Sequence, residues 1–320
     1  MRILITGGTN GMGKGLARAL ALDEQEKHEI IILCRSKKLG LSTLEDLQDL
    51  KGRPRVSIVV CDLSRLADVK KAIREIQDTY DYLDGIFINA GIGYAPSRLV
   101  TQDGMMAHFQ VNYLAQFMLT LNMLDLLEKS SLGGRVVFNA TQRGKIYWDD
   151  LQMEDKWTYE EGIHQAMVAK RMFLKKLHEV YKGQANKISF IGYQIPKTVW
   201  TNQIQIIPFY MRAFARVIKL FGGFISIETC GQMMVPLFTE SWGLSQERSG
   251  RFVTSKDDDF VEIKEEDQVE DPHNQNRLWQ LSLNLCQDEK TSEILIKTGK
   301  KKKAPASKKK KEDESSAEDK

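Results

Sequence analysis

Glycines at positions 7, 11 and 13 follow a short apolar run and precede a helix-forming run, which is the arrangement of a phosphate-binding turn. Glycine lets backbone N–H groups approach a pyrophosphate closely, and the positive end of the following helix attracts the same anion. The spacing Gly7-x3-Gly11-x-Gly13 differs from the better-known G-x-G-x-x-G pattern. The alternative is a glycine-rich turn that joins a strand to a helix and binds nothing.

The elements around this turn follow a regular alternation of apolar runs and helical spacings. The predicted strands are residues 2–6, 29–35, 56–62, 83–89, 135–139 and 187–191. The predicted helices are residues 16–22, 41–50, 66–80, 104–128 and 165–181. Strands that alternate with helices predict βαβ units. The expected fold is therefore α/β, a Rossmann-fold doubly wound parallel sheet with helices on both faces, forming a single domain over residues 1–290.

Arg35 stands directly after the second predicted strand, where this architecture places the adenosine ribose of a dinucleotide. A cation at that position accommodates a 2′-phosphate, whereas an acidic residue would accept from a 2′-hydroxyl. With Lys37 and Lys14 as additional cations, Arg35 favours NADP over NAD. The alternative is a solvated arginine at a strand end.

Charge and cysteine usage exclude several classes of protein. Residues 300–320 hold nine Lys and five acidic residues, so the remaining 37 basic and 38 acidic side chains nearly cancel. A neutral body argues against an extended nucleic-acid surface. Cys34, Cys61, Cys230 and Cys286 have no metal-ligand spacing, which predicts no metal site and a reducing, cytoplasmic compartment. The sequence contains no run of 18 apolar residues, so it predicts no membrane span.

Four signals in chain order resemble the short-chain dehydrogenase/reductase family, and the resemblance extends from residue 2 to about residue 286. They are the TGxxxGxG turn at 6–13, Asp62 in Cys-Asp-Leu, the Asn89-Ala90-Gly91 motif and Asn112 on a predicted helix. In this family Asp62 would lie beside the adenine, and Asn112 would belong to a proton relay. The cofactor-binding positions implied by the resemblance are Thr6, Gly7, Thr9, Asn10, Gly11, Met12, Gly13, Arg35, Asp62, Leu63, Asn89, Ala90, Gly91, Lys170, Val199 and Thr201.

Within the family the chain is most similar to retinol dehydrogenases and related lipid-carbonyl reductases. This similarity rests on Leu33-Cys34-Arg35, on the helix around Asn112, and on residues 249–252 and 276–282. It implies a small lipophilic substrate.

The catalytic positions match the family only in part. Thr141 stands where the family has a serine, and its hydroxyl can still donate to a substrate oxygen. Lys170 stands where the family lysine holds the nicotinamide ribose. Four residues earlier, however, Ala166 replaces the tyrosine that gives or takes the proton. A positioned general acid contributes roughly 10²–10⁴-fold to the rate, so the proton donor must be unorthodox or absent.

Three other side chains are alternative proton donors: His164, Tyr159 and Tyr147. The ordinary alternatives are a surface histidine and packed tyrosines. Lys197 replaces the glycine of the family's Pro-Gly pair, and we expect it to crowd a loop that normally needs glycine's freedom.

Residues 201–228 correspond to the family's substrate lid. Within 207–221, apolar residues recur at helical spacing, and Arg212, Arg216 and Lys219 share the opposite face. An apolar lid implies a lipophilic ligand, while a basic amphipathic helix can also lie on an anionic membrane. The third interpretation is a helix packed on the core.

Residues 291–320 form a lysine-rich and then acidic segment that we expect to be disordered. The lysine runs could serve as a nuclear address, as an anionic-surface tether or simply as a solubilising tail.

Two functional hypotheses follow. The first is an NADP-dependent oxidoreductase acting on a lipophilic alcohol or carbonyl, in which Thr141 polarises the oxygen, Lys170 holds the ribose and Asn112 orders a water. The second is a catalytically inactive NADP-binding protein that acts as a sensor or scaffold. Family members often form homodimers through the helices that correspond to those predicted from residues 104 and 165.

Overall fold

The computed structural model describes residues 1–23, 26–50, 54–141, 143–182, 187–201, 208–257, 259–286, 288 and 290–294. Its strands are β1 (Arg2–Thr6), β2 (Glu29–Cys34), β3 (Arg55–Val60), β4 (Gly85–Ile88), β5 (Gly134–Asn139), β6 (Ile188–Tyr193), β7 (Thr198–Val199), β8 (Phe224–Ile225), β9 (Phe252–Lys256) and β10 (Asp259–Glu262).

Eight of these strands form one sheet in the order β10-β9-β6-β5-β4-β1-β2-β3, and β7 pairs with β8 separately. Every pair in the large sheet is parallel except β9 with β10. The doubly wound Rossmann fold is therefore confirmed, with an antiparallel edge hairpin that the sequence analysis missed. The strand order reverses between β1 and β4, and open α/β sheets bind ligands at such a switch point.

The helices cover both faces of the sheet. They are α1 (Gly11–Ala21), α2 (Lys37–Gln48), α3 (Leu66–Thr79), α4 (Ala107–Phe109), a π-helical turn (Gln110–Leu114), α5 (Ala115–Leu127), α6 (Tyr159–Tyr181), α7 (Phe209–Leu220), α8 (Ile227–Met234), α9 (Pro236–Thr239), α10 (Trp242–Glu247), α11 (Asp267–Glu270) and α12 (Pro272–Cys286). None of the described helices combines the length and apolar character needed to cross a bilayer.

Four of the five predicted helices begin at a different residue from the observed ones. Helices α1 and α2 begin at Gly11 and Lys37, ahead of the predicted 16 and 41. The helix predicted from residue 104 begins at Ala107, because Gly104 adopts a left-handed φ of 77°. The helix predicted from residue 165 begins six residues earlier. There the Thr158 side chain accepts a hydrogen bond from the N–H of Glu161 at 3.1 Å and caps the first turn.

The core has two layers because successive strand residues point to opposite faces. Leu4 and Ile31 belong to the cluster under α3, α5, α6 and α12, and Ile3 and Ile32 belong to the cluster under α1, α8 and α9. The first layer contains an aromatic group in which the Phe117 ring lies 5.4 Å from Trp279. Both layers meet the sheet below the carboxyl ends of β1 and β4 and so support that edge.

Helices α1 and α8 cross at glycines, which allows their backbones to touch. A Cβ atom on Gly231 would overlap the carbonyl oxygen of Gly15, and one on Gly15 would overlap the carbonyl oxygen of Ile227. The helix that follows the glycine-rich turn is therefore braced by an element from the C-terminal third of the chain.

Residues 290–294 form a helical turn in which Thr291 is fully buried. The folded body thus extends beyond the predicted boundary at 290. The remainder of the predicted tail, residues 295–320, lies outside the described residues.

Candidate active site

The glycine-rich turn runs from the end of β1 into the first turn of α1. Gly7 and Gly11 have φ values of 70° and 54°, in the left-handed region that favours glycine. A Cβ atom on Gly13 would lie only 2.5 Å from the Gly7 carbonyl oxygen. Asn10 at the N-cap makes no side-chain cap with the described residues, so the first N–H groups of α1 remain available to an anion.

Thr6 and Asn89 join the ends of β1 and β4 beneath this turn. The N–H groups of Asn89 and Ala90 donate to the Thr6 hydroxyl oxygen at 2.8 and 2.9 Å. The Asn89 side-chain amide donates to the Thr6 carbonyl at 3.1 Å. Thr6 is fully buried, and it therefore serves to build the floor of the site.

Gln116 on α5 completes this floor and was not singled out from the sequence. Its Oε1 accepts from the Thr6 hydroxyl at 3.2 Å, and its Nε2 donates to the Ala90 carbonyl at 2.6 Å. Nothing in the local sequence distinguishes a buried glutamine from an exposed one on an otherwise apolar helix. Its role emerges only when β1, β4 and α5 meet.

At the predicted adenosine end, Arg35 is exposed directly after β2 and has no hydrogen-bond or ion-pair partner among the described residues. Lys37 is also exposed. Lys14, by contrast, is paired with Asp46 at 2.8 Å. Of the three cations considered for a 2′-phosphate, Lys14 is thus already engaged with a carboxylate.

Asp62 and Leu63 follow β3 and have fixed positions. The Asp62 Oδ1 accepts from the N–H and the hydroxyl of Ser64 at 3.0 and 2.7 Å, which closes a tight turn. Leu63 is buried, and its carbonyl accepts from Gln110 at 3.4 Å. Asp62 therefore stands at the carboxyl edge of the sheet, next to the end of β2.

Thr141 lies at the end of a polar chain that runs across β5 to β4. Its hydroxyl donates to Asn139 Oδ1, and the Asn139 amide donates to Asn89 Oδ1 at 3.2 Å. The sequence analysis assigned the Thr141 hydroxyl to a substrate oxygen. In the structure that proton is directed at Asn139, so polarising a substrate requires the hydroxyl to rotate.

Asn112 sits in the π-helical turn and anchors the loop after β4. Its Oδ1 accepts from the N–H of Ile92 at 2.7 Å, and its Nδ2 donates to the Ile92 carbonyl at 3.0 Å. Both polar atoms of the side chain are therefore engaged within the protein. A Cβ on Gly91 would come within 3.1 Å of Oδ1, so a larger residue there would require the Asn112 amide to shift slightly. This geometry supports an anchoring role for the Asn112 side chain.

Lys170 is 1% exposed, and its Nζ has no hydrogen-bond partner among the described residues. Burial lowers the pKa of this ammonium to about 7. A buried amine without a partner is costly, because it has left water without gaining a replacement acceptor. Lys170 is consequently the described side chain that most clearly calls for a ligand.

Ala166, one turn before Lys170, is fully buried in the core. The three alternative donors have ordinary positions. Tyr147 donates to Glu161 at 2.9 Å, and Tyr159 donates to Glu160 at 3.0 Å. His164 packs against Gly144.

The carboxylates of Glu161 and Glu160 also change the acidity of the Tyr147 and Tyr159 phenols. The hydrogen bond to Glu161 raises the pKa of Tyr147, while burial and then the Glu160 hydrogen bond raise the pKa of Tyr159. A donor with a raised pKa gives up its proton less readily. The structure therefore favours the ordinary roles of Tyr147 and Tyr159.

A buried ion pair between Arg171 and Glu265 closes the site from the C-terminal side. Arg171 donates to Glu265, to the Ala140 carbonyl and, at 3.1 Å, to Gln194 Oε1. It thereby ties α6 to the ends of β5 and β6. The sequence analysis missed this pair; an arginine directly after Lys170 in an apolar stretch was the available signal.

The loop after β6 behaves differently from the expectation for Lys197. Lys197 has no left-handed φ, since Met153 and Asp257 are the only described non-glycine residues that do. Its Nζ points to the Gly222 carbonyl at 3.4 Å. The backbone at position 197 therefore does not require the conformational freedom of glycine.

Val199 and Thr201 in the same loop have distinct positions. Val199 is buried and packs in the core layer under α1 and α8. Thr201 lies over the glycine-rich turn, where a Cβ on Gly11 would meet its Cγ2 at 3.2 Å. The fold thus brings together Gly11 and Thr201, two predicted cofactor contacts far apart in the chain.

The residues present fit a dinucleotide. The turn at the switch point lacks Cβ atoms where a pyrophosphate would approach. Among the described residues, Arg35 has no ion-pair partner and the Lys170 amine has no acceptor. Fold and site together define a Rossmann-fold protein with a candidate dinucleotide site.

Residues 1–152 match the family model described as short chain dehydrogenase. Just under half of the chain is thus similar to the short-chain dehydrogenase family. A polyprenol dehydrogenase from Danio rerio is 31% identical over 155 residues, covering 47% of this chain and 47% of the relative. Retinol dehydrogenase 13 from Mus musculus is 26% identical over 200 residues, covering 61% and 58%. The matches span about half the length of these curated relatives.

Solved structures show the same fold at low identity. An L-sorbose reductase from Gluconobacter frateurii, in complex with NADPH and L-sorbose, has a TM-score of 0.60 and 17% identity over 80% of this chain and 94% of that one. A 3-ketoacyl-(acyl-carrier-protein) reductase from Brucella melitensis, in complex with NADH, has the same TM-score and identity over 79% and 95%. These likenesses establish the architecture alone.

Proposed function

We propose that the protein is an NADP-dependent oxidoreductase acting on a lipophilic alcohol or carbonyl, of retinoid, steroid or other lipid character, and that Lys170 handles the proton. The observation that carries this proposal is the Lys170 amine, which is buried and without a partner among the described residues. Arg35 supports NADP over NAD, because a cation after β2 that has no partner in the described part of the chain suits a 2′-phosphate. The names of the polyprenol and retinol dehydrogenases among the relatives support a lipophilic substrate.

Proton transfer by Lys170 would replace the missing tyrosine at position 166. When bound, NADPH supplies the hydride in this chemistry. Reduction also needs one proton at the substrate oxygen, which the Lys170 ammonium would donate, leaving a neutral amine; oxidation would return it. With its pKa lowered to about 7, both forms exist near neutral pH, as general acid–base catalysis requires. Thr141, once rotated from Asn139, would donate to the same oxygen.

The test measures NADPH oxidation with a panel of lipophilic aldehydes and ketones. Lys170→Arg keeps a cation but cannot release a proton at neutral pH. We expect it to retain NADPH binding and to lose roughly 10²–10⁴-fold in kcat. Lys175→Arg is the matched control on the same helix, because Lys175 forms a partly exposed pair with Glu270. A Lys170→Arg variant with unchanged kcat would disprove the assignment of the proton to Lys170.

A second candidate function is NADP binding without turnover, as a sensor or scaffold. Two observations favour it: Ala166 is packed in the core, and the Thr141 hydroxyl is directed at Asn139. This function predicts NADPH binding by calorimetry with no reduction of any panel member. Activity that appears in Ala166→Tyr, but not in Ala166→Phe, would identify a degenerate active site. Absence of dinucleotide binding would contradict both functions.

A further inference from the structure

Helix α7 presents a wide apolar surface to the outside of the protein. Five side chains of α7 and that of Phe221, the next residue, are 49% to 86% exposed. We call these six the apolar face: Phe209, Tyr210, Phe214, Val217, Leu220 and Phe221. The one buried residue of the helix is Ala215. The expected packing of this helix on the core is therefore limited to a narrow strip.

The apolar face is continuous along the helix. At about 100° per residue, its six members fall within an arc of about 140°, and Ala215 lies opposite the centre of that arc. Isolated exposed apolar residues are normal on protein surfaces, but contiguous aromatic patches mark interaction sites. The helix thus rests on the protein by one side and offers the other to a partner.

Cations line the edge of this face. Arg212 and Arg216 follow each other by one turn beside it, and no acidic residue occurs between 208 and 227. The Nζ atom of Lys219 lies 4.2 Å from the centre of the Trp200 ring, and this contact holds the Lys219 side chain against the protein. The charged side chains of this helix are thus all positive.

We infer that the apolar face of α7 docks on an anionic lipid bilayer. An aromatic and aliphatic face flanked by arginines suits an interface where side chains enter the acyl region and cations meet lipid headgroups. A second copy is a poorer occupant, because two such faces would meet without acidic groups to balance their arginines.

Docking would also orient the catalytic side of the molecule. Burial, then Glu160, and to a smaller extent Tyr94 and Tyr210 at the start of α7 raise the pKa of the Tyr159 phenol. The Tyr159 ring packs on Tyr94 at 5.0 Å. Tyr94 lies in the loop after β4, three residues beyond Gly91. A bilayer on α7 would therefore lie beside the loop that Asn112 anchors.

The experiment is flotation of the full-length chain with vesicles, which involves no turnover and is independent of the proposed reaction. Vesicles of phosphatidylcholine are compared with equimolar phosphatidylcholine and phosphatidylserine. We expect binding to the anionic vesicles. The double variant Leu220→Asp/Phe221→Asp should lose about tenfold or more in affinity per side chain. Arg212→Gln/Arg216→Gln should lose about fivefold per cation.

The matched control is Leu39→Asp/Leu132→Asp, which adds the same charge at exposed leucines elsewhere and should bind like the wild type. The lysine runs at 300–303 and 308–311 can also attract anionic vesicles. Binding through those runs would be insensitive to Leu220→Asp/Phe221→Asp, and that result would overturn the inference. Equal binding to neutral vesicles would overturn the role of the cations. A dimer that this double variant dissolves, without vesicle binding, would assign the face to a second copy.

Discussion

Lys170 couples the stability of the fold to pH. In the unfolded chain its pKa is near 10.5, and in the folded protein burial lowers it to about 7. Below about pH 7 both states are protonated, so folding must bury a charge and the penalty is fully present. Between about pH 7 and 10.5 the folded state binds fewer protons than the unfolded state. Stability from this group should therefore rise with pH across that window.

Lys170→Met removes that penalty. We expect the variant to be more stable than the wild type near pH 6, on the order of 1–3 kcal/mol, with the difference shrinking towards pH 10. Urea unfolding at several pH values measures it. Lys175→Met serves as the control at a partly exposed ion pair. A stability difference that does not vary with pH would contradict the assignment.

Replacing Gly13 with alanine adds one methyl group and tests the proposed phosphate-binding turn. In Gly13→Ala the new Cβ would lie 2.5 Å from the Gly7 carbonyl oxygen, so the turn must shift. We expect about 1–3 kcal/mol lower stability and markedly weaker NADPH binding by calorimetry. Gly243→Ala is the control, because a Cβ there meets nothing within 4 Å and alanine favours a helix. Equal NADPH affinity in both variants would contradict the role of the turn.

At the scale of elements, Arg171 and Glu265 connect α6 and the strand ends to the segment before α11. Removing one partner leaves the other charged and buried, which typically costs about 3–5 kcal/mol. We expect that loss in Arg171→Met and in Glu265→Gln. The double variant should recover part of it, since neither charge remains. Urea unfolding of the four proteins forms the cycle, and strictly additive losses would show that the two side chains are not coupled.

The sequence predicted the strands of the parallel sheet well because buried strands are continuous apolar runs. Residues Ile30–Leu33 illustrate this, since all four are at most 1% exposed. The β9–β10 hairpin was missed because β10 carries polar residues and its side chains are largely exposed. The π-helical turn around Asn112 was also missed, since its extra residue leaves the apolar pattern of a helix nearly unchanged.

The site was predictable where motifs fix residue identity and unpredictable where distant parts of the chain meet. The glycine-rich turn, Asp62 and Lys170 were found by motif. The Arg171–Glu265 pair was not, because its members come from different elements and no local pattern links them. The direction of the Thr141 hydroxyl was not predicted for a different reason: Asn139 is only two residues away, but sequence alone does not show which acceptor a hydroxyl takes.

At the scale of the whole molecule, the contact between Gly15 and Gly231 links the dinucleotide turn to the C-terminal third. Gly231→Ala would force α8 away from α1, since its Cβ would overlap the Gly15 carbonyl. We expect about 1–3 kcal/mol lower stability and weaker NADPH binding, although residue 231 is outside the site. Thermal unfolding and calorimetry measure these effects, with Gly243→Ala again as control. Unchanged NADPH affinity would mean that α8 does not position α1.

The same contact has a consequence for the order in which the protein is made. Helix α1 leaves the ribosome early, but the helix that braces it is synthesised only after most of the sheet. Until α8 has emerged, the apolar side of α1 that includes Leu16 and Leu20 lacks part of its cover. Through most of translation the nascent chain therefore carries a helix α1 whose apolar side is only partly covered, which is the kind of exposed apolar surface that chaperones bind.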